Sequence, residues 1–296
     1  MARLEGSMVA IVTPMKDGRV DTKALADLVA WQISEGTDGI VPCGTTGEGA
    51  TLTAAEAAEV VKTTVEVCRG KALVVAGAGS NATHVAIESV KSAKALGADA
   101  ALVVTPYYNK PTQEGLYRHY LAIWEATRFP VVAYNVPGRT SVDMLPETVA
   151  RLSKAGAIVG IKEATASMDR QVQLIEKVGK DALSYLSGDD FTTLPYIACG
   201  GHGTISVTAN IAPRAVKELV VAARKPDLAT ALRLQAAMGE LNRAMFLETN
   251  PGPVKAGVNL LGRCGPELRL PLAPVSDANL AKVREAMVKF GLPVKG

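Results

Sequence analysis

Lys162 ends a short apolar run, Ala157-Ile158-Val159-Gly160-Ile161, and is followed by Glu163. A free lysine titrates near about 10.4, and its ammonium is no nucleophile. Burial disfavours the charged form, and the neutral amine can then form a Schiff base with a carbonyl compound. A lysine at a strand end can equally snorkel or pair with a carboxylate. Thr45 and Thr46, within Gly44-Thr45-Thr46-Gly47-Glu48, offer hydroxyls and successive N–H groups. Gly44 and Gly47 would permit the turn, and such N–H groups can form an anion nest suited to a carboxylate. The same residues would also suit a plain strand-to-helix turn. Tyr134 ends another apolar run, and its phenol could relay protons or simply pack. Tyr107-Tyr108 is conspicuous in a chain only 4% aromatic, and that loop could serve catalysis or an oligomer contact. Arg139 follows Pro137-Gly138 and could take a carboxylate bidentately, or pair with Asp143 or Glu163.

Short apolar runs alternate with longer Ala-rich amphipathic stretches. Strands are predicted at Met8–Thr13, Gly39–Pro42, Leu73–Ala76, Ala100–Thr105, Val131–Asn135, Ile158–Lys162, Leu183–Leu186 and Gly203–Val207. Helices are predicted near 23–35, 54–68, 82–95, 113–127, 145–154, 168–178 and 190–199, with Thr53 and Glu56 forming a capping box. Eight buried parallel-type strands with crossover helices indicate a (β/α)8 TIM barrel. Beyond Val207 only helical periodicity remains, near 213–224, 227–245, 252–261 and 276–290, broken at Pro226, Pro251, Pro253 and Pro271. The expected division is a catalytic barrel over 1–225 and a small C-terminal helical appendage over 226–296. In such barrels chemistry sits at the C-terminal strand ends. Those ends carry the GTTGE run, Tyr107-Tyr108, Tyr134, Arg139, Lys162 and Gly188.

Composition excludes several functions. The 296 residues are 48% hydrophobic and 21% charged with a net charge of +3, so neither disorder nor a nucleic-acid or membrane-surface binder is expected. Four scattered cysteines and three histidines form no metal or redox motif, so no metal and no cofactor are expected. No apolar stretch approaches the ~20 residues of a bilayer span. The N-terminal residues do not read as a signal peptide, and a cytoplasmic location follows. Gly77-Ala78-Gly79-Ser80-Asn81-Ala82 mimics a dinucleotide fingerprint, with Asp99 as its acid. It occupies the third unit of eight, however, where that fingerprint does not belong. A phosphate site using Gly188 and Gly200–Gly203 is the more plausible rival, weakened by the lack of a basic residue in those loops.

Seven ordered motifs, GTTGE (44–48), VTPYYNKP (104–111), YNVPGRT (134–140), GIKEAT (160–165), SGDD (187–190), GGHGTISVTAN (200–210) and NPGPVK (250–255), carry a resemblance over about Gly6–Pro274. The chain resembles the dihydrodipicolinate synthase family of pyruvate-dependent, Schiff-base class I aldolases. YNVPGRT, with its arginine, points there rather than to the sialic-acid or 2-keto-3-deoxy sugar-acid lyases. The resemblance implies that Lys162 forms an imine with pyruvate, with Tyr134, Thr45 and Tyr108 as a proton relay. Tyr108 would come from a neighbouring subunit of a homotetramer. Thr46 would bind the pyruvate carboxylate and Arg139 the carboxylate of L-aspartate-4-semialdehyde, with Gly188 and Ile205 lining the pocket through backbone groups. A catalytically dead barrel that senses a keto acid is the reading of a different class. At the family's lysine-feedback site Asn81 and Tyr107 match, but Val85 replaces a glutamate, and Ala54 and Ala57 replace histidines of some members. Gly49 replaces a frequent serine. Weak or absent inhibition by lysine is expected.

Overall fold

The computed structural model describes residues 3–225 and 227–295. Among these, eight parallel strands close into a barrel: β1 (Gly6–Ala10), β2 (Gly39–Val41), β3 (Leu73–Gly77), β4 (Ala100–Val104), β5 (Val131–Asn135), β6 (Gly160–Glu163), β7 (Ser184–Ser187) and β8 (Gly203–Ser206). Each pairs in parallel with its sequence neighbours, and β8 returns to β1 with Met8 opposite Ile205. The strands are short and buried on both faces, as a barrel wrapped by helices requires. Side chains alternate in direction. Met8, Val75, Leu102, Val132, Tyr134, Leu186 and Ile205 fill the interior, while Val9, Ile40, Val103 and Ile161 face the helices.

The helices between the strands are α1 (Thr22–Ser34), α2 (Ala54–Cys68), α3 (Thr83–Ala95), α4 (Gln113–Thr127), α5 (Pro146–Lys154), α6 (Met168–Val178) and α7 (Thr193–Ala198); α8 (Pro213–Arg224) follows β8. The expected capping box is present: Thr53 Oγ1 accepts from Glu56 N, and Glu56 accepts from Thr53 N at 2.9 Å. Four further helices follow, α9 (Leu228–Ala237), α10 (Gly239–Ala244), α11 (Gly252–Leu260) and α12 (Asp277–Phe290). Their buried residues, among them Ala231, Leu241, Val258 and Met287, belong to the same apolar cluster as the outer barrel wall.

Several boundaries differ from expectation. β1 ends at Ala10, because Val12 N bonds to Asn210 Oδ1 at 3.0 Å and Thr13 Oγ1 to Gly47 O at 2.6 Å instead of continuing the ladder. The single helix expected over 227–245 is two, parted at Met238 before Gly239, a poor helix former. Pro253 does not break a helix; it sits in the first turn of α11, where its missing N–H has no partner to lose. Pro226 lies outside the described residues. An unanticipated hairpin, Met15–Lys16 with Arg19–Val20, turns on Asp17-Gly18, both with positive φ. That Asp-Gly pair is a known hairpin signal.

Candidate active site

Lys162 lies on β6 directly opposite Tyr134 on β5. It is 5% exposed, and its Nζ stands 4.4 Å from the centroid of the Tyr134 ring. No carboxylate lies within salt-bridge distance of it among the described residues, so neither snorkelling nor ion pairing accounts for this lysine. Its pKa is lowered to about 8, chiefly by burial, with buried Asp190 opposing and the charge of Arg139 adding to the fall. Asp190 is itself held by Ser206 Oγ and by Val207 N and Thr208 N at 3.0 and 3.1 Å, and burial raises its pKa. Burial also raises the Tyr134 phenol, with Arg139 and the Thr45 side chain opposing.

Gly188 makes room for the lysine. A Cβ there would stand 3.0 Å from Lys162 Cε and 2.8 Å from Ala164 Cβ. Behind the pair, the next residue on each strand points outward, and Asn135 Nδ2 donates to Glu163 Oε2 at 3.1 Å and to Asp143 Oδ1 at 2.9 Å. Asn135 Oδ1 accepts from Met144 N, and Asp143 pairs with Arg170. This buried network ties the ends of β5 and β6 together. Burial raises the Glu163 carboxyl, a shift that its bonds to Asn135 and Thr165 counter.

The Thr45-Thr46 turn is built differently from the expectation. Gly44 and Gly47 do not take positive φ; Cys43 and Glu48 do, each at 55°. Gly47 is required by close approach, since a Cβ there would come within 2.9 Å of Ile11 O. The N–H groups of Thr45 and Thr46 have no protein acceptor among the described residues. Arg139, in a four-residue helical turn, Pro137–Thr140, pairs with neither Asp143 nor Glu163; its Nη2 donates to Asn250 O at 3.3 Å. Ile205 is fully buried and points its side chain into the barrel interior. Tyr108, with φ 72° and 90% exposure, touches none of this buried set within one chain. The structure thus brings Lys162, Tyr134, Thr45, Arg139 and Gly188 to one barrel mouth and leaves Tyr108 outside it.

Three groups escaped the sequence reading. Lys255 on α11 pairs with Glu48 at 2.6 Å, both side chains fully buried. Glu48 Oε2 also accepts from Arg269 N at 3.0 Å, and Arg269 Nη1 reaches Thr51 O and Glu56. Asn250 Nδ2 donates to Thr46 Oγ1 at 3.0 Å. The signal was present in the GTTGE and NPGPVK motifs, but the contact between them was not. The rival sites dissolve into packing. Gly77 and Gly79 let backbone approach Cys43 O and Val104 N, and Asp99 accepts from Val74 N. Gly200–Gly203 precede β8, at the opposite end of the barrel from Gly188, so they cannot share a phosphate site.

The dihydrodipicolinate synthetase family model matches residues 3–289. The chain belongs to the dihydrodipicolinate synthetase family. It is 81% identical to the 4-hydroxy-tetrahydrodipicolinate synthase of Anaeromyxobacter dehalogenans (strain 2CP-C), over 99% of both chains. Among solved structures it superposes on dihydrodipicolinate synthase from Aquifex aeolicus with a TM-score of 0.97 at 44% identity, covering 99% of this chain and 100% of that one. It also superposes on the chloride-inhibited enzyme from Acinetobacter baumannii, solved in complex with pyruvate, with a TM-score of 0.95 at 46% identity, covering 98% and 99%. In this dihydrodipicolinate synthetase chain no helix among the described residues is long and apolar enough to cross a membrane.

Proposed function

We propose that the chain condenses pyruvate with L-aspartate-4-semialdehyde to 4-hydroxy-tetrahydrodipicolinate, the first committed step towards diaminopimelate and lysine. One observation carries this: a buried lysine amine at a barrel mouth, beside an arginine, neither of them with a carboxylate partner among the described residues. The neutral Lys162 amine adds to the C2 carbonyl of pyruvate, and loss of water leaves a protonated imine. That imine accepts the electron pair when a methyl proton leaves, giving an enamine. The enamine carbon bonds to the aldehyde carbon, and the aldehyde oxygen takes a proton. The amine of the second substrate then attacks C2, closing the ring and freeing Lys162. Tyr134, whose ring lies beside the Lys162 amine, and Thr45, beside the Tyr134 phenol, suit proton transfer. Thr46 and the free N–H groups of its turn take the pyruvate carboxylate, Arg139 the other carboxylate, and Gly188 and Ile205 line the pocket.

The exposure of Tyr108 supports its service in a neighbouring copy, within a homotetramer. A fully active monomer in light scattering would overturn that part. In this proposal residues 1–225 carry the reacting groups and 226–296 support them, in the cytoplasm. The deciding experiment is incubation with pyruvate and borohydride followed by peptide mass mapping. An adduct on Lys162 with turnover of aspartate semialdehyde is expected. No adduct overturns the mechanism, and an adduct without turnover favours another pyruvate-dependent aldolase.

A further inference from the structure

Asn250 lies in the segment before α11, outside the barrel in sequence, yet it touches both carboxylate-binding elements. Its backbone carbonyl accepts from Arg139 and its Nδ2 donates to Thr46 Oγ1. The residue is 5% exposed, and its Oδ1 is buried with no hydrogen-bond partner among the described residues. A buried amide oxygen left unpaired is costly and rare in folded proteins. Asn250 is thus held by its donor end alone. The segment has little freedom to shift, because Lys255, five residues on, is locked to Glu48, itself two residues past Thr46.

The consequence falls on the Thr46 hydroxyl. A threonine hydroxyl offers one donor and two acceptor positions. With Asn250 Nδ2 on its acceptor side, its proton is spent on no group among the described residues. The proton joins the two unspent N–H groups of Thr45 and Thr46. One turn thus holds three donors with no acceptor among the described residues.

We infer that Asn250 is a positioning residue that fixes the direction of the Thr46 hydroxyl, so that its proton is presented to the carboxylate of pyruvate. This rests on Thr46 holding pyruvate, as proposed above. Alanine at 250 frees the hydroxyl to rotate. Aspartate, of the same shape, reverses the polarity: the new carboxylate takes the Thr46 proton and sets a negative charge beside the anion.

The test is the half-saturation of borohydride trapping of Lys162 with pyruvate alone, which involves no second substrate. Asn250→Ala, which loosens the Thr46 hydroxyl without removing it, is expected to raise it several-fold, short of the roughly 10- to 100-fold loss of a whole charge-assisted hydrogen bond. Asn250→Asp is expected to raise it more than about tenfold on the same scale. The decisive arm is Thr46→Val, where no hydroxyl remains to direct. On that background Asn250→Ala should move the half-saturation by less than about twofold, because sites acting through one group do not add. Equal effects with and without the hydroxyl would mean that Asn250 only supports the fold, and would overturn the proposal. If Asn250→Ala fails to fold, the isosteric Asn250→Asp decides: an unchanged half-saturation overturns it. Absence of any adduct in the wild type would instead defeat the functional proposal.

Discussion

Replacing Lys162 by methionine should make this protein more stable while abolishing imine formation. In the folded state burial holds the Lys162 pKa at about 8, against an ordinary 10.5. Between those values the unfolded chain binds more protons than the folded one, so stability rises with pH across that window. Below pH 8 the full cost is present, about 3 kcal/mol for a shift of about 2.5 pH units at 1.36 kcal/mol each. Methionine has a similar length and no charge to desolvate, so Lys162→Met should gain about 3 kcal/mol at pH 7. The gap should close to about 1 kcal/mol at pH 10 and vanish above the unfolded lysine's pKa. For a chain of this size 3 kcal/mol corresponds to about 6 °C in Tm at pH 7. The assay is urea unfolding of both proteins from pH 7 to 10 at one protein concentration. A variant no more stable at pH 7, or a gap that does not narrow with pH, would refute burial as the source of the reactive amine.

Three further outcomes follow from the geometry. Gly188→Ala should push Lys162 Cε from a Cβ only 3.0 Å away, slowing pyruvate adduct formation on the order of 100-fold; trapping at the wild-type rate would contradict this. Lys255→Met leaves the fully buried Glu48 with one backbone donor and should cost about 3–5 kcal/mol in urea unfolding, most of it recovered in the Glu48→Met, Lys255→Met double variant. A loss below about 1 kcal/mol in the single variant would show that the pair is dispensable. Val85 is exposed and apolar and offers an ammonium no carboxylate, so steady-state assays should show weak or no inhibition by lysine; half-inhibition below millimolar lysine would sink that expectation.

The barrel was legible because its signals are local. Apolar runs of four or five residues separated by amphipathic helices admit few architectures, and the Thr53–Glu56 box marks a helix start from its own spacing. Lys162 and Tyr134 were legible for the same reason, since each stands at the last inward-facing position of its strand. Backbone conformation within loops was less so. The GTTGE turn takes its left-handed residues at Cys43 and Glu48, not at its glycines, because the glycines are spent on close contact with neighbouring strands.

The sequence alone determined the strand order, the candidate lysine and the set of polar groups at the strand ends, because period and position in the chain carry that information. It named Arg139 and Thr46 but left their partners open. Only the tertiary structure decided that, among the described residues, Arg139 meets no carboxylate and Lys162 no counter-ion, and that the C-terminal region reaches back through Asn250, Lys255 and Arg269 to brace the threonine turn. Those contacts join residues more than a hundred positions apart. Side-chain burial and hydrogen bonding across such distances depend on how the closed barrel packs against its last helices, which no local pattern encodes.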